Sequence, residues 1–73
     1  MALSDKPRLR VLSDGRRRHI NVPSGFALPL LILLRKHGVR CDPPSPYLVG
    51  VDNIELYRDT DADRVQAILD GWE

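Results

Sequence analysis

Cysteine and aromatic residues are scarce in this 73-residue chain. The one cysteine, Cys41, excludes an internal disulfide and a zinc site built from several cysteines. Aromatic residues make up 5% of the sequence, and none lies among the arginines of residues 8–18, which disfavours base stacking as a way to bind single strands there. The lone cysteine is typical of a reducing compartment, so we expect a cytoplasmic protein.

Long hydrophobic runs are also lacking. The apolar stretch from Phe26 to Leu34 is far shorter than the roughly 18 residues of a membrane span, and the first residues lack the apolar core of a signal peptide. We predict a flexible tail at residues 1–6 and a single domain at residues 7–73. A chain of this length buries only about 60% of its unfolded surface, which leaves little room for an active site.

Charge is divided unevenly between the two halves of the chain. Residues 1–40 hold nine basic and two acidic side chains, a net charge of +7, whereas residues 41–73 hold two basic and eight acidic ones, a net charge of −6. Such asymmetry is compatible with binding to a polyanion. The alternative is that the halves neutralise each other across the fold or between two copies of the chain.

The dipeptide Asp14-Gly15 separates two segments in which apolar and polar residues alternate. Asp-Gly favours a two-residue hairpin turn, because both central positions of a type I′ turn need positive φ angles. A loop at this dipeptide pairs Ser13 with Arg16 and gathers apolar side chains of both strands on one face. That face carries Leu9, Val11, Ile20 and Val22, and Leu12 is an exception on the polar face.

A leucine-rich helix is predicted at residues 27–37. Pro29 then falls in the first turn, where its missing N–H is tolerated, and Gly38 follows the C-cap. A helix capped by Ser24, with a kink at Pro29, is the alternative. Residues 26–34 leave no polar face over two turns, whereas an ordinary surface helix has one.

A second hairpin is predicted from residues 47–51 and 54–58, with Asp52-Asn53 as its turn. A single long strand with a bulge is the alternative. The hairpin register places four apolar side chains on one face: Val49, Val51, Ile54 and Leu56.

The last element is predicted to be an amphipathic helix. Thr60 or Asp59 caps it, and Asp61 and Asp63 lie in its first turn, where carboxylates suit the helix dipole. Its apolar stripe is Val65, Ile68, Leu69 and Trp72. The resulting fold class is α+β, a small two-layer sandwich of order β-β-α-β-β-α with two helices on one face of an antiparallel or mixed sheet.

The leucine-rich helix has more apolar surface than a small sheet can cover. Apolar surface left over in this way marks an interaction site. We therefore predict a non-enzymatic module that self-associates as a homodimer or binds a partner protein. The predicted interface residues are Leu28, Ile32 and Leu33.

The arginine-rich hairpin supports an alternative function, nucleic-acid binding. Arginines spaced along a two-stranded ribbon can contact successive phosphates. The residues concerned are Arg8, Arg10, Arg16, Arg17 and Arg18. The competing interpretation is a solvated face that prevents edge-to-edge aggregation.

Two sets of potential metal ligands occur: Asp59, Asp61 and Asp63, and His37, Cys41 and Asp42. The first set lacks the glycine that a calcium loop needs at its sixth position, so helix capping explains it better. The second set lacks a fourth ligand, and a helix cation with a small buried thiol explains it better. We predict no metal site, no catalytic residue and no cofactor.

Overall fold

A computed structural model describes residues 9–15 and 17–72. Its elements, in chain order, are β1 (Leu12–Asp14), β2 (Arg17–Pro23), α1 (Ser24–Lys36), β3 (Ser45–Leu48), β4 (Val51–Leu56) and α2 (Ala62–Asp70). The strands form one antiparallel sheet in the order β1-β2-β4-β3. The predicted α+β class and element order are confirmed, and the predicted tail at residues 1–6 lies outside the described residues.

Both helices pack on the same face of the sheet. Alternate residues of a strand point to one side, and the buried side chains of the two central strands, β2 and β4, all follow this alternation. The core cluster comprises Leu9, Ile20, Val22, Ala27, Leu30, Leu31, Leu34, Val39, Cys41, Ile54, Leu56, Val65 and Leu69. The opposite face of the sheet has no helix from the described residues over it.

Helix α1 begins at Ser24, three residues before the predicted start, and Pro29 lies inside it. Pro29 has no N–H, so the carbonyl of Gly25, four residues earlier, receives no hydrogen bond from it. Among the described residues no side chain caps the first turn. Instead, the Ser24 N–H donates to the Gly50 carbonyl at 2.9 Å, so the turn between β3 and β4 holds the start of the helix.

The end of α1 is the one that the sequence predicts. Gly38 has a φ of 77°, its N–H donates to the Arg35 carbonyl at 3.0 Å, and the Val39 N–H donates to the Leu34 carbonyl at 2.9 Å. These two bonds form a Schellman motif. Leu34 and Val39 are both buried, which supplies the apolar contact that accompanies the motif.

The first hairpin has the predicted faces but not the predicted register. Asp14 pairs with Arg17, so the loop begins at Gly15 rather than at Asp14. Gly15 has a φ of 63°, and no other residue type in the described ranges has a positive φ. Glycine reaches this region without steric cost, and Gly15 lies in the loop in the predicted register as well as in the observed one. The shift is two residues, so the same side chains still face the core.

The second hairpin turns at Val49-Gly50, and the predicted turn at Asp52-Asn53 is wrong. Gly50 has a φ of 77° and supplies the positive angle that the turn needs. Asp52 and Asn53 lie inside β4 instead, paired with β2.

This difference changes the face on which the apolar residues of the hairpin lie. Ile54 and Leu56 are buried as predicted. Val51 lies half-buried on the opposite face of the sheet, and Val49 is fully exposed at the turn. Half of the predicted apolar face therefore never joins the core.

Helix α2 is capped by Asp61, one or two residues later than predicted. Its Oδ1 accepts hydrogen bonds from the N–H groups of Asp63 and Arg64 at 3.0 and 3.3 Å. Asp63 lies in the first turn, as predicted. The predicted apolar stripe is confirmed: it packs on the core through Val65, Ile68, Leu69 and Trp72.

Gln66 ties the first described residues to α2. Its Nε2 donates to the Leu9 carbonyl at 3.1 Å, and its Oε1 accepts from the Val11 N–H at 2.9 Å. The carboxamide thus forms hydrogen bonds with the Leu9 carbonyl and the Val11 N–H, two backbone groups that a neighbouring strand would otherwise pair with. This contact spans most of the chain, and the sequence gives no local sign of it.

Candidate protein-docking surface

Helix α1 has apolar side chains on its sheet-facing side and on its outward side. The sheet-facing residues recur at helical spacing and are all buried: Ala27, Leu30, Leu31 and Leu34. On the outward side, Leu28 and Ile32 are one turn apart and are 64% and 67% exposed. Pro29 is exposed beside them. We call Leu28, Pro29 and Ile32 the outer strip.

Leu33, the third predicted interface residue, faces differently. It is half-buried and packs against the core, as does Phe26. The Phe26 ring meets the Trp72 ring edge-on, with centroids 6.1 Å apart. Leu33 therefore belongs to the packed side of α1, and the outward apolar surface is carried by Leu28 and Ile32.

The outer strip has opposite charges at its two ends. Arg35 and Lys36 are exposed in the last turn of α1. At the first turn, the Ser24 hydroxyl donates to the Asp52 carboxylate at 3.0 Å, which places an anionic group beside the helix start. The outer strip thus runs from an acidic end to a basic end.

The end of β3 and the turn after it expose further apolar side chains near the acidic end. Tyr47 and Leu48 are 56% and 64% exposed, and Val49 projects wholly into solvent. The hydrogen bond from Ser24 to Gly50 holds this turn against the start of α1. Sequence reasoning missed this surface because the misplaced turn assigned Val49 to a core-facing strand.

The uncovered face of the sheet is mostly polar. His19 lies opposite Glu55, and Asn21 lies opposite Asn53 at the centre of the sheet. The side-chain oxygens of the two asparagines are buried and have no hydrogen-bond partner in the described part of the chain. Because these two oxygens are shielded from solvent, they are not available to a partner, and the same face also carries the apolar residues Leu12 and Val51.

Three arginines of the predicted nucleic-acid surface are described by the structure, and they have different surroundings. Arg18 donates from Nη1 to the Arg58 and Thr60 carbonyls at 2.9 and 3.3 Å, so it ties β2 to the loop after β4. Arg17 lies on the uncovered face, 3.8 Å from the Glu55 carboxylate. Arg10 is exposed. The remaining two, Arg8 and Arg16, lie outside the described residues.

Cys41 lies inside the core, on the edge segment that bridges to Leu56 of β4. Burial raises the pKa of its thiol, and the nearby Arg35 opposes that rise. A protonated, buried thiol is a poor nucleophile. Within residues 9–15 and 17–72, no group of three or more histidine, cysteine or carboxylate side chains is placed to hold a metal ion.

A polar cavity of about 250 Å³ lies between the loop after α1 and the start of α2. Two of its charged lining groups already hold the fold together. Asp61 caps α2, and the Arg64 guanidinium donates to the His37 carbonyl. These two side chains therefore have structural roles: Asp61 stabilises the start of α2, and Arg64 links α2 to the end of α1.

Comparison of the chain with protein-family models, with curated proteins and with solved structures finds no match in any of the three. In the described ranges, neither helix is long and apolar enough to cross a membrane.

Proposed function

We propose that the chain is a non-enzymatic protein-interaction module that docks another polypeptide on the outer strip of α1. The observation that carries this proposal is the exposure of Leu28 and Ile32 on the outward side of a helix whose inward side is already packed. Adjacent large apolar side chains on a helix surface form the kind of patch that interfaces use.

The energetics favour a bound state over an exposed one. Complete burial of a leucine or isoleucine side chain contributes about 1.5–3 kcal/mol, so covering the exposed two-thirds of each contributes about 1–2 kcal/mol. Leu28 and Ile32 together would therefore supply a substantial part of a micromolar affinity. Folding gains little from these two side chains, because they remain outside the core cluster.

The same proposal places the module in the cytoplasm. The sequence contains a single cysteine, Cys41, and the structure buries it as a thiol. A buried free thiol is typical of proteins that work in a reducing compartment.

Site-specific photo-crosslinking tests the proposal in the cells that make the protein. One variant carries a photoreactive side chain at the outer strip, Ile32→p-benzoylphenylalanine. The matched control carries it on the exposed side of α2, Ala67→p-benzoylphenylalanine. The proposal expects a discrete protein adduct from position 32 that position 67 does not give. Equal adduct patterns from the two positions, or none from position 32, contradict it.

A further inference from the structure

We infer that the polypeptide on the outer strip is a second copy of this chain, with the two α1 helices packed antiparallel about a two-fold axis. This inference rests on the proposed function and adds the identity and orientation of the partner. It follows from the self-complementarity of the surface that carries the outer strip.

The apolar part of the strip matches itself under a two-fold rotation. An axis that passes midway between Leu28 and Ile32 sets Leu28 against the partner's Ile32 and Ile32 against the partner's Leu28. Residues four apart lie on the same side of a helix, so both contacts form on one continuous seam. Gly25, exposed one turn before the strip, lets the helices approach closely because it has no side chain.

The charged ends match under the same rotation. Lys36 is exposed in the last turn of α1 and lies about 18 Å along the axis from Ser24, at a rise of about 1.5 Å per residue. An antiparallel pair therefore brings Lys36 of each copy to the start of the other α1, where the Asp52 carboxylate is held by the Ser24 hydroxyl. A parallel pair would instead set Lys36 beside the partner's Lys36. Charge complementarity thus selects the antiparallel arrangement.

The proposed contact between the two α1 helices is small, so we expect a weak affinity. Helix α1 has 13 residues and is about 20 Å long. An interface built on one such helix falls below the roughly 1,200 Å² of ordinary stable complexes. The expected product is therefore a weak, reversible dimer.

A charge exchange between two chains tests the arrangement by sedimentation equilibrium of the full-length protein. One chain carries Lys36→Glu and the other carries Asp52→Lys. In a dimer of either variant alone, side chains of the same charge face each other at both ends of the helix pair. The dissociation constant of that dimer should therefore rise about tenfold or more. A mixture of the two variants restores both opposite-charge contacts and should dimerise within about threefold of the wild type. Arg58→Glu, an equal charge change after β4, should leave the constant unchanged.

Two further variants keep the test decisive if Asp52→Lys fails to fold, as judged by circular dichroism. Ile32→Glu places a carboxylate in the middle of the seam and should abolish the dimer, whereas Ala67→Glu on α2 should not. A wild-type chain that stays monomeric at about 1 mM, or a mixture no tighter than its separate components, overturns the inference. If the chain is monomeric but position 32 crosslinks to a different protein, the second copy is wrong and the docking function stands.

Discussion

The two helices cover the same sheet with opposite kinds of outward surface. Helix α2 has a single apolar stripe. Its other side faces solvent and carries exposed residues that are mostly charged. Helix α1 buries four residues against the sheet and still exposes Leu28 and Ile32 on the outward side. Since both helices complete one core, packing alone does not explain an apolar outward side. This difference is the basis of the proposal that another polypeptide covers the outward side of α1.

The two helices also differ in what holds their first turns. The side chain of Asp61 caps α2 from within its own segment. The start of α1 depends on the Gly50 carbonyl, which belongs to a different part of the chain. The start of α2 is thus held by local sequence, whereas the start of α1 is held by a tertiary contact.

The largest expected effect separates the two sides of α1. Leu30 is completely buried, so Leu30→Ala should lower the free energy of unfolding by about 2–5 kcal/mol. Leu28→Ala, the same substitution on the outer strip, should change it by less than about 0.5 kcal/mol in dilute monomer. Urea unfolding followed by circular dichroism measures both. Similar losses from the two variants would show that the outer strip is part of the core.

A smaller effect is expected at the contact that ties α2 to residues 9–11. Gln66→Leu removes two hydrogen bonds to backbone groups, and each contributes about 0.5–1.5 kcal/mol, so the expected loss is about 1–3 kcal/mol. Gln66→Glu keeps the acceptor for the Val11 N–H and should cost less. Hydrogen exchange gives the local readout, and an unchanged rate at the Val11 amide in Gln66→Leu would refute this role.

The caps of the two helices should respond unequally. Asp61→Ala should cost about 0.5–2 kcal/mol, because two N–H groups of α2 lose their acceptor, whereas Asp61→Asn should preserve most of the stability. Ser24→Ala should cost less than Asp61→Ala, since the Ser24 hydroxyl does not cap α1. Thermal unfolding of the three variants orders them. A larger loss for Ser24→Ala would contradict this order and would mean that the Ser24 hydroxyl, which donates to Asp52, stabilises the start of α1 more than Asp61 stabilises α2.

The smallest expected effect concerns pH and Cys41. Burial raises the pKa of this thiol in the folded chain, so the unfolded chain loses the proton first as pH rises. The free energy of unfolding should therefore begin to fall above about pH 8.5, the ordinary thiol pKa, and Cys41→Ala should remove that part of the decline. Urea titrations at several alkaline pH values measure it, and identical pH profiles for the two chains would contradict this assignment.

The sequence predicts the type and order of the elements well, and the position of the turns poorly. Periodicity is a property of whole segments, so the strands, α1 and the stripe of α2 survive small errors of register. Turns depend on single residues. A rule that reserves positive φ for glycine would have moved the second turn from Asp52-Asn53 to Gly50. The same rule does not decide the first register, because Gly15 lies in both the predicted and the observed loop.

The outward surface of α1 could be predicted only in part. The lack of a polar side is evident from the sequence. On that basis Leu28 and Ile32 were predicted to lie on the outward side, and both are exposed. The rotation of the helix about its axis depends on the sheet beneath it, so Leu33 could not be assigned to the packed side. Asp52 was placed in a turn, so its position at the start of α1 could not be foreseen.

The most direct test of self-association through α1 is the concentration dependence of the backbone amide shifts in ¹H–¹⁵N spectra. Dilution from about 1 mM to about 10 μM spans the range in which an interface of this size dissociates. We predict that the amides of residues 24–36 shift on dilution and that those of residues 62–70 do not. Shifts that stay constant throughout, or that change on the uncovered face of the sheet instead of on α1, would contradict the account.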